Sequence, residues 1–209
     1  MNRYDIHSDE GEFQPGSNGL VLRNLLDITS PGDMDELELE LLAQLYEAVL
    51  LDLLHLPDRR ITLQDIKTWH RQWLGNVYSW AGQERSVNMG KGGFLFAAAP
   101  QIPRLLATFE QDCLSRWTPC HGMTTATLIE AIAVTHVEFI LIHPFREGNG
   151  RLSRLLADVM AIQGGHETLD YSAWEARKGD YISAIHSGLS GDYTPMCGLV
   201  AAAMQPTAP

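Results

Sequence analysis

One stretch of the chain, Leu141–Leu156 (LIHPFREGNGRLSRLL), brings together residue types that suit phosphate chemistry. It contains a histidine that can accept a proton, an acidic side chain, two glycines flanking an amide, and two arginines spaced three apart. Guanidinium groups bind phosphate oxygens, and Mg²⁺ bound to phosphates takes one or two protein carboxylates as ligands. Few structural roles need that combination, so the stretch is a candidate polyphosphate site.

Helical patterns on both sides position this stretch. Apolar residues recur at intervals of three and four from Thr124 to Ile142, which predicts a helix. That helix must stop near Pro144, because proline lacks an amide hydrogen and disfavours helical geometry in the residue before it. His143 therefore lies at a helix end and faces a loop, where it can deprotonate an incoming hydroxyl. After Gly150 an apolar stripe resumes, so a second helix is predicted to start around residues 149–151.

The start of this second helix is predicted to bind phosphate. The first amides of a helix have no intrahelical acceptor, and no side chain blocks their approach at Gly148 and Gly150. Arg151 and Arg154 lie on the first turns, where their guanidinium groups can contact further phosphate oxygens. Glu147 enters the same loop as an oxygen ligand for Mg²⁺.

The string HPFREGNGR, followed by Arg154, resembles the signature of Fic-domain proteins, most of which transfer AMP from ATP to a hydroxyl side chain of a target protein. The resemblance implies a mainly α fold, a Fic-type helical bundle with a small β-hairpin flap beside the active-site loop. It also implies these roles: general base His143, Mg²⁺ ligand Glu147, anion hole Gly148, Asn149 and Gly150, and phosphate ligands Arg151 and Arg154. The Doc-type branch, which phosphorylates, departs from this pattern in the glycine and asparagine region, so AMP transfer is favoured.

Other activities stay open at this point. Members of this family also use UTP or CDP-choline, or move phosphate, and the base pocket that decides between them is not legible in the sequence. A non-catalytic nucleotide-binding regulator is a further alternative, which the complete motif disfavours. The expected function is protein adenylyl transfer to a Ser, Thr or Tyr hydroxyl, with ATP and Mg²⁺.

Residues 82–99 are interpreted as a β-hairpin, with segments Ser86–Met89 and Phe94–Ala97 on either side of a glycine-rich turn. By sequence alone, an ordinary surface hairpin is an equally good interpretation. The resemblance implies the flap that aligns the target protein by strand addition. The candidate target-binding residues are Gly92, Gly93, Phe94 and Phe96, and the two phenylalanines contact either the target or the domain itself.

The remaining pattern predicts one domain at 20–204, an irregular arm at 1–19 and a flexible tail at 205–209. Further helices are predicted from Ser30 or Asp33 through Leu54, from Thr62 past Trp73, and over Pro103–Ser115, Lys178–Leu189 and Tyr193–Met204. Gly164–Trp174 is predicted as a connector, and the tryptophans of the second helix as core. The resemblance covers roughly residues 20 to 200, including VLRNLLDIT and YSWAG.

Composition narrows the class of protein. The net charge of −11 over 209 residues argues against sequence-independent nucleic-acid binding. We expect no membrane partner and a cytoplasmic location, because we find no apolar run of membrane-spanning length and no apolar signal core at the N-terminus. Cys113, Cys120 and Cys197 lack CxxC spacing and are expected to be free thiols.

A transition-metal site is a weaker alternative. His136 and His143 share a helix face with Glu138 nearby, and HVE is similar to the HxE half of zinc deaminases. The cysteine pair that those enzymes need is missing, so we expect His136 to be a buried, hydrogen-bonded core residue.

Regulation is also implied by the resemblance. Fic proteins are commonly restrained by a helix whose glutamate pairs with the second motif arginine, here Arg154. Its signature is a Ser or Thr followed four residues later by Glu and then by Gly or Asn. Glu10 with Gly11 comes nearest, but Ile6 stands at the hydroxyl position. We therefore expect a separate small antitoxin-like protein to supply the inhibitory helix, or the helix to be absent.

Overall fold

The structure, a computed structural model, describes residues 9–205 and is mainly α. The helices are α1 (Pro31–His55), α2 (Leu63–Leu74), α3 (Ile102–Phe109), α4 (Ser115–Trp117), α5 (Thr125–Ile142), α6 (Asn149–Gln163), α7 (Ser172–Ala176), α8 (Lys178–Ser187) and α9 (Thr194–Ala203). A small antiparallel hairpin pairs β1 (Gly90–Lys91) with β2 (Phe94–Leu95). The predicted fold class, a helical bundle with a small hairpin, is confirmed.

The first two helices begin at the capping residues that the sequence indicates. Ser30 precedes α1, and its hydroxyl accepts a hydrogen bond from the Asp33 N–H at 3.3 Å. Thr62 caps α2 with a reciprocal box: its hydroxyl accepts from the Asp65 N–H at 3.2 Å, and the Asp65 carboxylate accepts from the Thr62 N–H at 2.9 Å. Each cap satisfies amides that a helix start otherwise leaves unpaired.

Helix α5 is the centre of the bundle and leads directly into the candidate site. It packs against α3, α6, α8 and α9, and it is buried over most of its length. The helix begins after Thr124, whose hydroxyl accepts from the Thr127 N–H at 3.2 Å, and ends at Ile142. Helix α6 follows after a loop of six residues, 143–148, so the core fixes both ends of that loop.

The expectation about membrane-spanning length was wrong for α5. The helix is long and apolar enough to cross a membrane by length and composition, with a mean hydropathy of 1.7 over 18 residues. Packing explains the composition, since 56% of that window is buried inside the protein. A helix that is apolar on most faces is also typical of a bundle centre.

The hairpin is shorter than predicted and shifted along the chain. The segment expected to form the first strand, Ser86–Met89, is irregular, and the paired residues are Gly90 with Leu95 and Lys91 with Phe94. Side chains take the place of a longer strand ladder: a buried arginine binds the carbonyls of both limbs, and an asparagine side chain accepts the Ala99 N–H.

Two further segments differ from the sequence-based assignment. The helix predicted at Pro103–Ser115 starts at Ile102 and continues past α3 through a π-helical turn, Glu110–Leu114, into α4. The connector Gly164–Trp174 contains the start of α7, where Trp174 is buried. The predicted helices at Lys178–Leu189 and Tyr193–Met204 correspond to α8 and α9.

The N-terminal region is irregular but packed where it is described. Glu10, Gln14 and Ser17 are buried, and Phe13 forms an isolated β-bridge with Leu22. Residues 1–8 and 206–209, which belong to the predicted arm and tail, lie outside the described residues. The domain boundaries therefore stay predictions.

Asp158 of α6 joins three parts of the fold and gives a stability test. The buried carboxylate accepts hydrogen bonds from Tyr46 Oη and Tyr171 Oη, both at 3.0 Å, and from the Leu169 N–H at 2.9 Å. Because Asp158→Ala leaves several of these donors unsatisfied, we expect it to lower the free energy of unfolding by about 3 kcal/mol or more in urea denaturation.

The matched control is Asp170→Ala, which removes an exposed carboxylate that accepts one backbone N–H, that of Ser172. It should leave the denaturation midpoint nearly unchanged. Equal midpoints for the two variants would contradict the role assigned to Asp158.

Candidate active site

His143 is held at the end of α5 in a left-handed conformation. Its backbone has φ 51° and ψ 61°, and its N–H still donates to Phe139 O at 2.9 Å. The ring Nδ1 lies 3.2 Å from Ile140 O. Because a carbonyl oxygen can only accept, Nδ1 carries the hydrogen and Nε2 keeps its lone pair. The imidazole is therefore in the tautomer that a general base requires.

The surroundings of His143 keep it neutral. Burial is the largest cause, and with the positive charges of Arg85 and Lys91 it lowers the pKa of His143 to about 4. Phe96 of the hairpin stacks on the imidazole with ring centroids 3.7 Å apart. At neutral pH the ring is thus uncharged and fixed in orientation.

The loop after His143 is pinned by Asn149, the first residue of α6. The Asn149 side chain accepts the Phe145 N–H at 2.9 Å and donates to Phe145 O at 2.7 Å. Phe145 itself is fully buried. Because both polar groups of the Asn149 side chain bind this loop, only its backbone N–H is available for the anion-hole role that the resemblance implies.

His70 of α2 supports the loop from the other side and was not singled out by the sequence. The Gly82 N–H donates to His70 Nδ1 at 2.7 Å, so Nε2 carries the hydrogen and donates to Glu147 O at 3.1 Å. The ring also stacks on Phe145 at 4.0 Å, and burial lowers the pKa of His70 to about 4. The sequence feature that could have identified His70 is its position on the apolar face of α2, between Trp69 and Trp73.

Gly148 is required by geometry. Its φ is +82°, and a side-chain carbon there would lie 2.5 Å from Cζ3 of Trp73. Gly150 is different, because a carbon added there would meet nothing within 4 Å. The helix start is therefore packed on one side and open on the other, toward the cleft that both glycines line.

Arg151 is oriented by contacts that fix its guanidinium. It lies over Trp73, with Cζ 4.6 Å from the ring centroid, and donates to Glu38 Oε2 at 2.6 Å and to Glu147 Oε1 at 3.3 Å. Glu38 is 3% exposed and also accepts from Tyr78 Oη at 2.8 Å. Trp73 is core, as predicted, and also supports the guanidinium of Arg151. The sequence did not single out Glu38.

Arg154 is held more loosely. Its Cζ lies 5.0 Å from the centroid of the Tyr171 ring, and it donates to Glu175 Oε1 at 2.9 Å. The Glu175 side chain is 66% exposed, so the ion pair is screened by solvent. Arg154 is the more readily freed of the two motif arginines.

These residues share one cleft of about 490 Å³. Its lining includes the cations Lys91, Arg146, Arg151, Arg154 and Lys178, together with Glu147, His143 and the apolar side of α8. Among the described lining residues Glu147 is the one carboxylate, and it also accepts the Gly148 N–H at 2.8 Å. A cationic cleft with a single carboxylate suits a polyphosphate with Mg²⁺, which takes few protein ligands when phosphates supply the others.

The hairpin residues predicted for target binding divide into two groups. Phe94 stacks on His186 of α8 at 4.5 Å and Phe96 stacks on His143, so both pack on the domain. Gly92 and Gly93 form the open turn with positive φ. Leu95, with 79% of its surface exposed, is the hairpin's outward-facing apolar residue, and the sequence did not single it out.

The residues of the alternative metal site do not converge. His136 Nε2 lies 2.8 Å from Tyr181 Oη, and Glu138 accepts from Tyr193 Oη at 2.6 Å. His136 is buried and hydrogen-bonded, as predicted. The three cysteines are free thiols, also as predicted. Within residues 9–205, no group of His, Cys, Asp and Glu side chains has the arrangement of a metal site.

Solved structures define the class of fold. The N-terminal Fic domain of a Bartonella effector protein from Bartonella sp. AR 15-3 superposes with a TM-score of 0.77, 19% identity and coverage of 99% of this chain and 96% of that chain. BepC from Bartonella tribocorum, solved with bound AMPPNP, gives a TM-score of 0.74 at 22% identity, covering 97% and 100%. The chain has the Fic-domain fold.

Sequence comparison gives the family. The Fic/DOC family model matches residues 60–161. A probable protein adenylyltransferase of Sinorhizobium fredii is 30% identical over 197 residues, which are 94% of this chain and 96% of that protein. A probable protein adenylyltransferase of Escherichia coli K12 is 30% identical over 135 residues, covering 64% and 65%. The chain belongs to the Fic/DOC family.

The two glycines of the helix start give a matched pair of variants. Gly148→Ala must adopt a positive φ and push against Trp73, so we expect it to lower the free energy of unfolding by at least about 1 kcal/mol. Gly150→Ala has open space and should fold with unchanged or slightly higher stability. Thermal melts of the two proteins test this, and equal loss of stability would contradict the packing described here.

The buried histidines predict a pH dependence of stability. The pKa values of His70, His136 and His143 are lowered to about 4, mainly by burial. Below about pH 6.5 the unfolded chain therefore binds more protons at these histidines than the folded chain does. Their effect on the free energy of unfolding is absent above that pH, and the free energy of unfolding decreases as the pH falls toward 4. Each histidine should contribute about 1.4 kcal/mol per pH unit in that window.

Urea denaturation of wild type and His70→Gln at intervals between pH 6.5 and 5 measures this slope. The free energy of unfolding of His70→Gln should depend on pH less steeply than that of wild type, by the equivalent of one proton. His55→Ala, which removes an exposed histidine, should keep the wild-type slope. Identical slopes for wild type and His70→Gln would show that His70 is not held neutral by burial.

Proposed function

We propose that this protein is an adenylyltransferase that transfers AMP from ATP to a Ser, Thr or Tyr hydroxyl of a target protein. The observation that carries the proposal is the cleft itself, in which His143 lies together with the start of α6 and two arginines. The Nδ1–H of His143 donates to Ile140 O, which leaves Nε2 without a proton. The similarity to the probable protein adenylyltransferases of Sinorhizobium fredii and Escherichia coli supports the same reaction.

The proposed reaction needs one general base, His143. His143 Nε2 takes the proton of the target hydroxyl as its oxygen attacks the α-phosphorus of ATP. The new P–O bond forms on the target, the bond between the α-phosphorus and the bridging oxygen breaks, and pyrophosphate leaves. General-base action of this kind contributes about 10²- to 10⁴-fold to the rate.

Most of the remaining acceleration comes from positioning and charge. The amides at the start of α6 face phosphate oxygens, and Arg151 and Arg154 bind the β- and γ-phosphates. Glu147 is the residue that would hold Mg²⁺, which supplies charge neutralisation on the phosphates when it is bound. Arg151 is oriented in advance by Trp73 and Glu38, so little ordering is left for the substrate to induce.

The part of the cleft beside α8 can hold a nucleobase, but its lining does not indicate which nucleobase binds. Tyr181, Ile182 and Ile185 of α8 give the cleft a largely apolar wall. BepC, which has the same fold, was solved with AMPPNP, and this supports ATP as the nucleotide. Phosphoryl transfer from ATP is the second candidate, since the same residues would hold the same phosphates.

The hairpin is the proposed docking site for the target. Each strand has only two residues, and the exposed Leu95 offers an apolar contact beside the free edge. An extended segment of the target can add to such an edge through backbone hydrogen bonds. Its hydroxyl side chain would then lie near His143, against which Phe96 already packs.

We also propose that restraint of this enzyme, where it occurs, comes from a separate antitoxin-like protein. Glu10, the nearest sequence match to an inhibitory glutamate, accepts hydrogen bonds from the N–H and the hydroxyl of Ser86 at 2.9 and 2.5 Å. It is therefore engaged at the base of the hairpin, whereas Arg154 pairs with Glu175. A glutamate from another chain would compete with Glu175 for that arginine.

Incubation of a cell lysate with Mg²⁺ and ATP labelled at either the α- or the γ-phosphate tests the reaction. We expect label from α-ATP on protein bands, with His143→Ala retaining ATP affinity and losing transfer by about 10²-fold or more. His55→Ala is the matched control and should transfer as the wild type does. Label from γ-ATP alone would establish phosphoryl transfer, and transfer by His143→Ala at the wild-type rate would refute the base assignment.

Arg154→Ala separates the phosphate role from the base role. It removes a cation that lines the cleft without touching His143, so we expect weaker ATP binding together with reduced transfer. Calorimetric titration with a non-hydrolysable ATP analogue and Mg²⁺ measures the affinity. Unchanged affinity and unchanged transfer would exclude Arg154 as a phosphate ligand.

A further inference from the structure

Arg85 is a buried arginine that lies outside the sequence motif. Only 2% of its surface is exposed, and no carboxylate within residues 10–205 forms an ion pair with it. The carboxylate of Glu10, which acts on Arg85 electrostatically, instead accepts hydrogen bonds from Ser86. Burying a guanidinium without a carboxylate is costly, so its hydrogen bonds must compensate.

All the side-chain hydrogen bonds of Arg85 go to backbone carbonyls. Its Nε donates to His143 O at 2.6 Å, Nη1 to Val87 O at 2.6 Å, and Nη2 to Ala97 O at 2.6 Å and to Ile142 O at 3.3 Å. Its backbone N–H donates to Pro144 O at 2.8 Å. One residue thus binds three consecutive carbonyls at the end of α5 and one carbonyl on each limb of the hairpin.

The contacts at α5 fix a strained turn. His143 is one of the few described non-glycine residues with a positive φ, a conformation that is disfavoured for a side chain of its size. The last carbonyls of a helix have no intrahelical donors, and the proline that follows contributes none. Arg85 supplies donors to Ile142 O and His143 O, and so holds the backbone that carries the imidazole.

The contacts at the hairpin fix its distance from the same imidazole. Val87 and Ala97 stand on opposite limbs, and the next residue to Ala97, Phe96, stacks on His143. A guanidinium is planar and its donors have a fixed geometry, so the four carbonyls cannot move independently. A lysine, with one rotatable ammonium, cannot reproduce that pattern.

Arg85 also contributes to the charge around the imidazole. Burial is the largest cause of the lowered pKa of His143, and the positive charges of Arg85 and Lys91 act in the same direction. The other titratable or charged groups that line this cleft are Arg146 and Glu147 of the loop, Arg151 and Arg154 of α6, and Lys178, Tyr181 and His186 of α8. Arg85 differs from them because it is bound to the backbone of His143 itself.

We propose that Arg85 is a positioning residue for the transfer reaction, which fastens the general base and the target-docking hairpin to each other through their backbones. The inference rests on the proposed function, since the role of His143 as base is proposed there. No described hydrogen bond joins Arg85 to Arg151, to Arg154 or to the start of α6. We therefore expect Arg85 to affect the position of the general base and of the hairpin, and not the affinity for the nucleotide.

Two substitutions separate geometry from charge. Arg85→Lys keeps the positive charge and loses the four-carbonyl pattern, and Arg85→Met removes both. For each variant we would measure kcat for transfer, the ATP affinity and the pH dependence of kcat. The matched control is Gln163→Leu, because Gln163 is also buried and donates to two backbone carbonyls, Pro57 O and Arg59 O, at the far end of α6.

Both Arg85 variants should lower kcat by about tenfold to a hundredfold, the loss expected for a misplaced base, while the ATP affinity stays within about twofold of wild type. In Arg85→Met the acid limb of the pH profile should move to higher pH, because a positive charge that favours the neutral imidazole is gone. In Arg85→Lys that limb should move less. Gln163→Leu should lower thermal stability without changing kcat of the folded protein or its pH profile.

Two readouts do not depend on transfer. The imidazole resonance of His143, assigned by its absence in His143→Ala, should titrate at higher pH in Arg85→Met than in wild type. Amide hydrogen exchange of the hairpin should accelerate in both Arg85 variants and not in Gln163→Leu. If wild type transfers no label, the proposed function fails, and these two readouts still test the positioning role.

The proposal is overturned if both folded variants transfer at the wild-type rate, or if kcat and ATP affinity fall in parallel. It is also overturned if the His143 titration and the hairpin exchange match those of wild type. Should Arg85→Met fail to fold, Arg85→Lys alone decides through kcat, ATP affinity and hairpin exchange.

Discussion

The structure of this protein depends on satisfying the backbone of a buried loop between two core helices. Buried carbonyls and amides need hydrogen-bond partners, and a six-residue loop cannot supply them from regular structure. Side chains from three separate elements supply them instead: His70 of α2, Arg85 before the hairpin, and Asn149 of α6. Each holds a different peptide of the loop, so the bundle, the hairpin and the loop constrain one another.

The two motif arginines differ in the carboxylate with which each is paired. Arg151 pairs with Glu38, which is almost fully buried and bound by Tyr78, and that pairing orients the guanidinium before any substrate arrives. Arg154 pairs with Glu175, whose side chain is largely exposed, and exposed pairs of this kind contribute little. A polyphosphate bound as proposed would therefore meet one arginine that is fixed in place and one that can turn toward it.

Sequence patterns predicted the parts of the fold that local chemistry determines. The caps at Ser30 and Thr62 and the stop before Pro144 follow from hydrogen bonding and sterics between near neighbours, and the structure has them. His70, Arg85 and Glu38 were missed because they act on residues far away in the chain. His70 and Glu147 are 77 positions apart, and a side chain that binds a carbonyl leaves no spacing pattern. The hairpin strands were misplaced for the same reason, since Arg85 takes the carbonyls that a longer ladder would use.

The two histidines of the loop show why residue type alone does not identify a base. His70 is buried and His143 is half-buried, both are neutral at pH 7, and each lies against an aromatic ring. In His70 one nitrogen accepts the Gly82 N–H and the other donates to Glu147 O, so neither is free for a proton. In His143 only Nδ1 is bound, to Ile140 O. An imidazole can act as a base when the protein satisfies one nitrogen and leaves the other without a hydrogen-bond partner. Among the described contacts, His143 at the left-handed end of α5 meets this condition and His70 does not.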